Sequence, residues 1–334
     1  MVASCTLAID AMSGDFGPHV IIPASLDFLS EFPDTSLRLV GDPDVIRPLL
    51  GGRVDDRIRL VASTSVVGMG DKPSFALRHR RDSSLYRSIE LVAEQHADAA
   101  VSAGNTGALM AMGRYLLRTH PGIDRPAIAT MIPTRNGFCY MLDLGANVDC
   151  SAEHLYQFAL LGASLAEAVS GCESPRVALL NVGEEEIKGN EQVKLASRLI
   201  REHSSLNYVG YVEGDDVYAG KADVVVCDGF VGNVALKSSE GLARLLGHAF
   251  AEAFRGSWYR RLVGLLARPI VEELQEVMDP SRHNGASLLG LQGIVVKSHG
   301  SANRECFAHA LRQARQEVVR NVPALTNQKL SQLL

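Results

Sequence analysis

The sequence has no C-x-x-C pair: its six cysteines, at 5, 139, 150, 172, 227 and 306, are scattered. That spacing fits reduced thiols and argues against a disulfide framework or a zinc site. No charge of one sign dominates, since 33 Lys and Arg face 38 Asp and Glu for a net charge of −5. No global field therefore favours nucleic acid, and no RNA- or DNA-binding module is visible. No segment reaches the ~18 uncharged apolar residues of a spanning helix. Met1–Leu7 lacks a basic region ahead of a long apolar run, so no signal peptide is read. A soluble, cytoplasmic protein is expected, at most resting on a membrane surface. Low-complexity tracts and Pro/Gly/Ser-rich linkers are also missing, which favours one continuous body over 1–334.

Familiar catalytic signatures are missing as well. Glycines at 104, 107 and 113, and at 229 and 232, do not make G-x-G-x-x-G, so a dinucleotide site has no support. There is no G-x-x-x-x-G-K-[ST] and no G-x-S-x-G, which argues against a P-loop and a hydrolase nucleophile elbow. The ten histidines include no H-E-x-x-H or comparable metal pair. No metal or cofactor is expected.

What is present is an alternation of short apolar runs with longer helical patterns, as in a mostly parallel sheet covered by helices. Strands are predicted at 5–10, 36–40, 58–61, 98–102, 127–131, 138–143, 176–181, 207–212, 222–227 and 293–297. Helices are predicted at 18–31, 85–96, 106–117, 151–170, 189–203, 233–254, 262–277 and 302–320, with a helical excursion over 240–280. The tail 321–334 reads as polar and peripheral.

Four strand-loop-helix corners share a form: 99–108, 179–190, 224–237 and 293–303. In each, an apolar strand ends in Gly with Asn or Ser before a helix begins. Glycine lets backbone approach a ligand, and helix N-termini present free N–H groups to anions. Ordinary loops with ordinary N-caps would look alike, but three of the corners add Lys188, Lys237 or Lys297. A lysine in the first turn opposes the helix dipole, which a bound anion would explain. Lys237 falls four residues after Asn233, on the same helical face. Of the ten histidines only His299 lies in a loop that otherwise looks built for a site, and phosphate is the expected anion. A further corner, Ala8–Pro18, could bind a cation or ribose through its two aspartates and two glycines, or simply form turns and a helix start.

Taken together, Ile9–Asp15, Val101–Ala108, Leu142–Asn147, Asn181–Glu185, Lys188–Asn190, Asp228–Asn233 and Lys297–Ser301 resemble the acyl carrier protein-dependent phosphate acyltransferases of bacterial phospholipid synthesis, the PlsX family. The resemblance runs in one order over residues 9–303. It departs at Ser13, where the family more usually has Gly, and at Ser287, where it has Pro; both are expected in loops. It implies a homodimer with a three-layer αβα fold similar to isocitrate and isopropylmalate dehydrogenases. It implies transfer of a fatty acyl group from acyl carrier protein to inorganic phosphate, the acyl phosphate then passing to a membrane glycerol-3-phosphate acyltransferase. A phosphotransacetylase-like enzyme using coenzyme A thioesters, or a nicotinamide-dependent dehydrogenase on the same fold, is the alternative.

For that transfer, phosphate must be held beside a thioester, carbonyl charge stabilised and a thiolate released, so positioning dominates. Lys188, Lys297, His299 and Asn233 are the candidate catalytic residues, and His299 could protonate the thiolate or bind phosphate. Asn105, Asn190 and Asn233 are candidate oxyanion donors, each such donor worth about 3 kcal/mol. Thr106, Gly107, Gly232, Lys237, Gly300 and Ser301 would line the phosphate and substrate pocket with Asn105 and Asn190. The segment Phe254–Ile270 carries four arginines, no acid and the single tryptophan. Trp258, Arg260, Arg261, Leu262, Leu265 and Leu266 would suit anionic lipid, an acidic carrier protein or, as a packed hairpin, a dimer interface.

Overall fold

The computed structural model describes residues 5–52, 55–203, 205–278 and 284–333. Eleven strands form one sheet among the described residues: β1 (Cys5–Asp10), β2 (Thr35–Gly41), β3 (Ile58–Ala62), β4 (Ala99–Ser102), β5 (Ala127–Thr134), β6 (Gly137–Leu142), β7 (Val177–Leu180), β8 (Tyr208–Val212), β9 (Val224–Val226), β10 (Ala286–Leu289) and β11 (Ile294–Lys297). Their spatial order is β3-β2-β1-β4-β11-β10-β5-β6-β9-β7-β8. The first five run parallel, as do the last four, while β10 and β5 each pair antiparallel on both sides. The two parallel blocks consequently point in opposite directions within one sheet.

Helices cover both faces, because alternate residues of each strand serve opposite cores. Ala8, Ala100, Val225 and Val295 join α3 (Pro73–His79), α4 (Ser84–Ala93) and α5 (Thr106–Leu117) in one core. On the other face Ile9, Val101 and Val296 meet α1 (Pro18–Glu31) and α11 (Arg304–Val319). Leu142, Leu179 and Val226 meet α6 (Ala152–Ser170) and α7 (Glu191–His203) there. The result is the three-layer αβα arrangement expected.

Several elements differ from expectation. α2 (Pro43–Leu49) and α8 (Gly214–Ala219) fill presumed loops. β10 was not foreseen, so Ser287 lies in a strand rather than a loop, 2% exposed. The tail is not peripheral: α12 (Val322–Leu333) buries Val322, Thr326 and Leu330, one turn apart, against α6. The excursion is a pair of packed helices, α9 (Gly229–Arg255) and α10 (Trp258–Met278). A side chain on Gly264 would stand 2.9 Å from the Phe254 ring, so glycine allows the two to close on each other. No helix of the described residues is long and apolar enough to cross a membrane.

Candidate active site

Three neighbouring strands end in a row of polar side chains. Ala8, Ala100 and Val295 belong to one core, so Asp10, Ser102 and Lys297, two residues further along, leave the sheet on that same face. The register sets Lys297 opposite Ser102. Ser102 Oγ donates to Asp10 Oδ2 at 2.7 Å and accepts from Gly104 N–H at 3.0 Å. Ser13 Oγ lies 3.2 Å from Ser102 Oγ and accepts from Ala103 N–H at 3.2 Å. Asp10 is fully buried, which pushes its carboxyl up. Lys297 is 9% exposed, and burial with the nearby Lys237 charge brings its ammonium down to about 8, against the pull of Asp10 and Asp15. Its Nζ donates to Ser298 O.

The loop after β11 is fixed from beneath. Asn284 donates to Ser298 Oγ at 2.8 Å and Cys306 O at 2.7 Å, and accepts from His299 N–H at 2.9 Å. His299 Nδ1 accepts from Ser301 N–H at 3.2 Å, with Ser301 Oγ at 2.8 Å. A backbone amide only donates, so the proton of the neutral imidazole belongs on Nε2. Burial, then the Lys237 charge, lowers His299 and keeps the ring neutral. Nε2 lies 3.2 Å from Lys237 Nζ. Two N–H donors face each other across that gap, and an anion accepting from both would reconcile them. Lys237 also donates to Glu240 Oε2 at 2.9 Å.

Lys237 reaches His299 because α9 is seated closely on the 143–147 loop. A Cβ on Gly232 would stand 1.9 Å from Asp143 O, and one on Gly229 would stand 2.7 Å from Asn147 O. Buried Asp143 holds that loop by accepting from the amides of Ile128 (3.0 Å), Ala146 (3.0 Å) and Asn147 (2.6 Å), and from Asn147 Nδ2 (2.9 Å). Asp228 caps α9 by accepting from Val231 N–H at 2.8 Å. Asn233 is exposed in the second turn of α9, its Oδ1 3.6 Å from where a Gly145 side chain would begin.

The remaining candidates are held differently. Asn105 caps α5 through Ala108 N–H at 3.0 Å, and its amide donates to the carbonyls of Gly68 (3.4 Å), Met69 (2.8 Å) and Asp71 (3.1 Å). That amide thus fastens a loop in this structure instead of facing the open site. Thr106 opens α5 half-buried, and Gly107 is small because Pro73 would press a Cβ at 2.7 Å. Gly300 accepts from Asp15 N–H at 2.8 Å and lies beneath Met69, whose Cε would be 3.2 Å from a Gly300 Cβ. Asn190 caps α7 through Val193 N–H at 2.9 Å. Lys188 is exposed and pairs with Glu185 at 2.8 Å, which holds its ammonium up. Among the described residues no contact joins Lys188 or Asn190 to the Lys237–His299–Lys297 group.

Ser102, Asn284, Glu240 and Met69 were not among the expected site residues, and Asp10, read as a possible cation or ribose ligand, instead accepts from Ser102 beside Lys297. Period-two alternation could have aligned Asp10 with Ser102 and Lys297, and the i,i+3 spacing could have offered Glu240 to Lys237. Nothing local in the sequence announces Asn284.

A family model described as "Fatty acid synthesis protein" matches residues 5–325. The chain is 56% identical over 331 residues to the phosphate acyltransferase of Pseudomonas aeruginosa (strain UCBPP-PA14), covering 98% of each. It is 54% identical over 337 residues to that of Alkalilimnicola ehrlichii, covering 100% of this chain and 98% of the other. Among solved structures, a phosphotransacetylase from Streptococcus pyogenes superposes with TM-score 0.61 at 16% identity, over 98% of this chain and 94% of that one. A 4-hydroxythreonine-4-phosphate dehydrogenase from Klebsiella pneumoniae gives 0.54 at 15% identity, over 95% and 97%.

Proposed function

The chain belongs to the phosphate acyltransferases, and on that premise we propose that it moves a fatty acyl group from acyl carrier protein to inorganic phosphate. The observation that carries this reading is the pair of N–H donors, Lys237 Nζ and His299 Nε2, facing each other at 3.2 Å beside buried Lys297. Phosphate is partly dianionic at neutral pH and needs no strong base. Held between Lys237 and His299, one phosphate oxygen attacks the thioester carbonyl carbon. The C–S bond breaks, acyl phosphate forms, and the thiolate takes a proton. Lys297, at about 8, is matched to a thiol of pKa about 8.5 and serves as that proton's source. His299 acts as a donor to phosphate, since Nδ1 is already engaged by Ser301 N–H.

The same reading supplies acyl phosphate to a membrane glycerol-3-phosphate acyltransferase in phospholipid synthesis. The protein works as a cytoplasmic homodimer in peripheral membrane contact through the α9–α10 hairpin. Exposed Trp258, Leu262, Leu265 and Leu266, with Arg260 and Arg261, support that contact.

The test is to incubate the purified protein with palmitoyl-acyl carrier protein and inorganic phosphate and follow acyl phosphate by mass spectrometry. Phosphate-dependent product is expected. Lys237→Ala should raise the KM for phosphate by about tenfold or more, the scale of one lost charge-assisted contact. Lys188→Ala should change it much less. Turnover with acyl-coenzyme A but none with the carrier would favour a phosphotransacetylase-like reaction. A Lys237→Ala enzyme with an unchanged phosphate KM would remove the anion pair from the mechanism.

A further inference from the structure

The loop carrying Met69 onto Gly300 continues directly into the most basic short stretch near the site. From Lys72 to Arg81 there are four Lys and Arg and no acid, in a chain of net charge −5. Lys72, Arg78 and Arg81 are exposed, and none of the ion pairs among the described residues includes them. The Arg81 guanidinium lies 5.5 Å over the Tyr115 ring, and that of Arg80 lies 5.9 Å over Phe75. The bracketing acids are engaged elsewhere: Asp71 accepts from Gly68 N–H at 2.9 Å, and exposed Asp82 holds Thr64 and Ser65. A ridge of unpaired cations results.

One end of this ridge is fastened to the site. Asn105 ties down the carbonyls of Gly68, Met69 and Asp71, Pro73 packs against Gly107, and Met69 covers Gly300 beside His299. We propose that the ridge of Lys72, Arg78 and Arg81 is the docking face for the acidic carrier protein that delivers the acyl thioester. This rests on the acyl carrier protein reading above. A carrier must rest its own surface outside while its thioester reaches the anion pair, so its docking face has to border the mouth. The hairpin offers a different mixture: Trp258, Leu262, Leu265 and Leu266 are each more than half exposed among its arginines, which suits lipid. The ridge is dominated by charge, which suits an acidic protein and fast, salt-sensitive encounter.

The experiment compares wild type with Lys72→Glu/Arg78→Glu/Arg81→Glu on two donors, octanoyl-acyl carrier protein and the neutral small thioester octanoyl-N-acetylcysteamine. The KM for the carrier should rise about tenfold or more and lose most of its salt dependence, as expected for rim charges. Turnover of the small thioester should stay within about twofold, which also reports that the variant is folded. An unchanged carrier KM overturns the proposal, as does an equal loss on both donors. Loss of binding to phosphatidylglycerol vesicles with an unchanged carrier KM would assign the ridge to a membrane and overturn it too. A wild-type enzyme active on octanoyl-coenzyme A but not on the carrier would sink the underlying donor reading, independently of the ridge.

Discussion

Glu317 lies under β10 with 2% of its surface exposed, and burial pushes its carboxyl up to about 7. The Ser287 hydroxyl hydrogen-bonds to it, and Gln313 Nε2 donates to it at 2.9 Å. The folded state therefore binds an extra proton between the ordinary value of 4.5 and about 7, and stability falls as pH rises through that window. Glu317→Gln should leave the melting temperature nearly unchanged near pH 4 and raise it near pH 8. The gain there is on the order of 3 kcal/mol. Differential scanning fluorimetry at both pH values checks this; an equal offset at both would mean the carboxyl does not titrate there. Ser287, read from sequence as a matter of loop shape, is half of this buried pair. Ser13, read the same way, contributes a hydroxyl to the polar row ending in Lys297. At this scale the end of β11 marks Lys297 and His299 in the sequence, whereas Lys237, read as lying in a first helical turn, stands more than two turns inside α9, because that helix starts at Gly229. The sequence concealed Asn284, whose hold on residues 298–299 depends on chain segments meeting only in the fold.

For α9, two glycines within one helix make opposite predictions. Gly232 faces Asp143 O, where a Cβ would stand at 1.9 Å, whereas Gly241 has nothing within 4 Å of its Cβ position. Gly232→Ala should cost about 3 kcal/mol or more, since the backbone must move. It should also raise the phosphate KM by lifting Lys237 from His299. Gly241→Ala should stabilise by about 0.5–1 kcal/mol with unchanged kinetics. Urea denaturation and phosphate titration of both variants decide it; equal effects would show that helix propensity, not seating, governs the site. The missed elements have a related cause. α2 and α3 open on Pro43 and Pro73, which suit a first helical turn but read as breakers when taken alone. β10, Ala-Ser-Leu-Leu, has no β-branched residue, unlike the equally short β4, β7 and β11, and draws its stability from the strands on either side.

The whole molecule leaves the α9–α10 hairpin with a markedly apolar exterior: Leu262 is 52% exposed and Leu266 74%. Leu262→Glu/Leu266→Glu should abolish co-flotation with anionic vesicles without lowering the melting temperature, because neither side chain is buried. Undiminished flotation would hand this surface to another partner, such as a second copy. The fold class was legible because strands and helices alternate along most of the chain. The reversal of direction across β10, β5 and β6 was not, since strand polarity is set by crossovers that local periodicity does not encode. The placement of β11 has a consequence for biosynthesis. Residue 294 pairs with residue 99, so β4 waits with one side open until the segment around residue 294, almost two hundred residues later, has left the ribosome. During that interval the growing product exposes an unpaired apolar strand edge, and C-terminally truncated translation products would be prone to self-association.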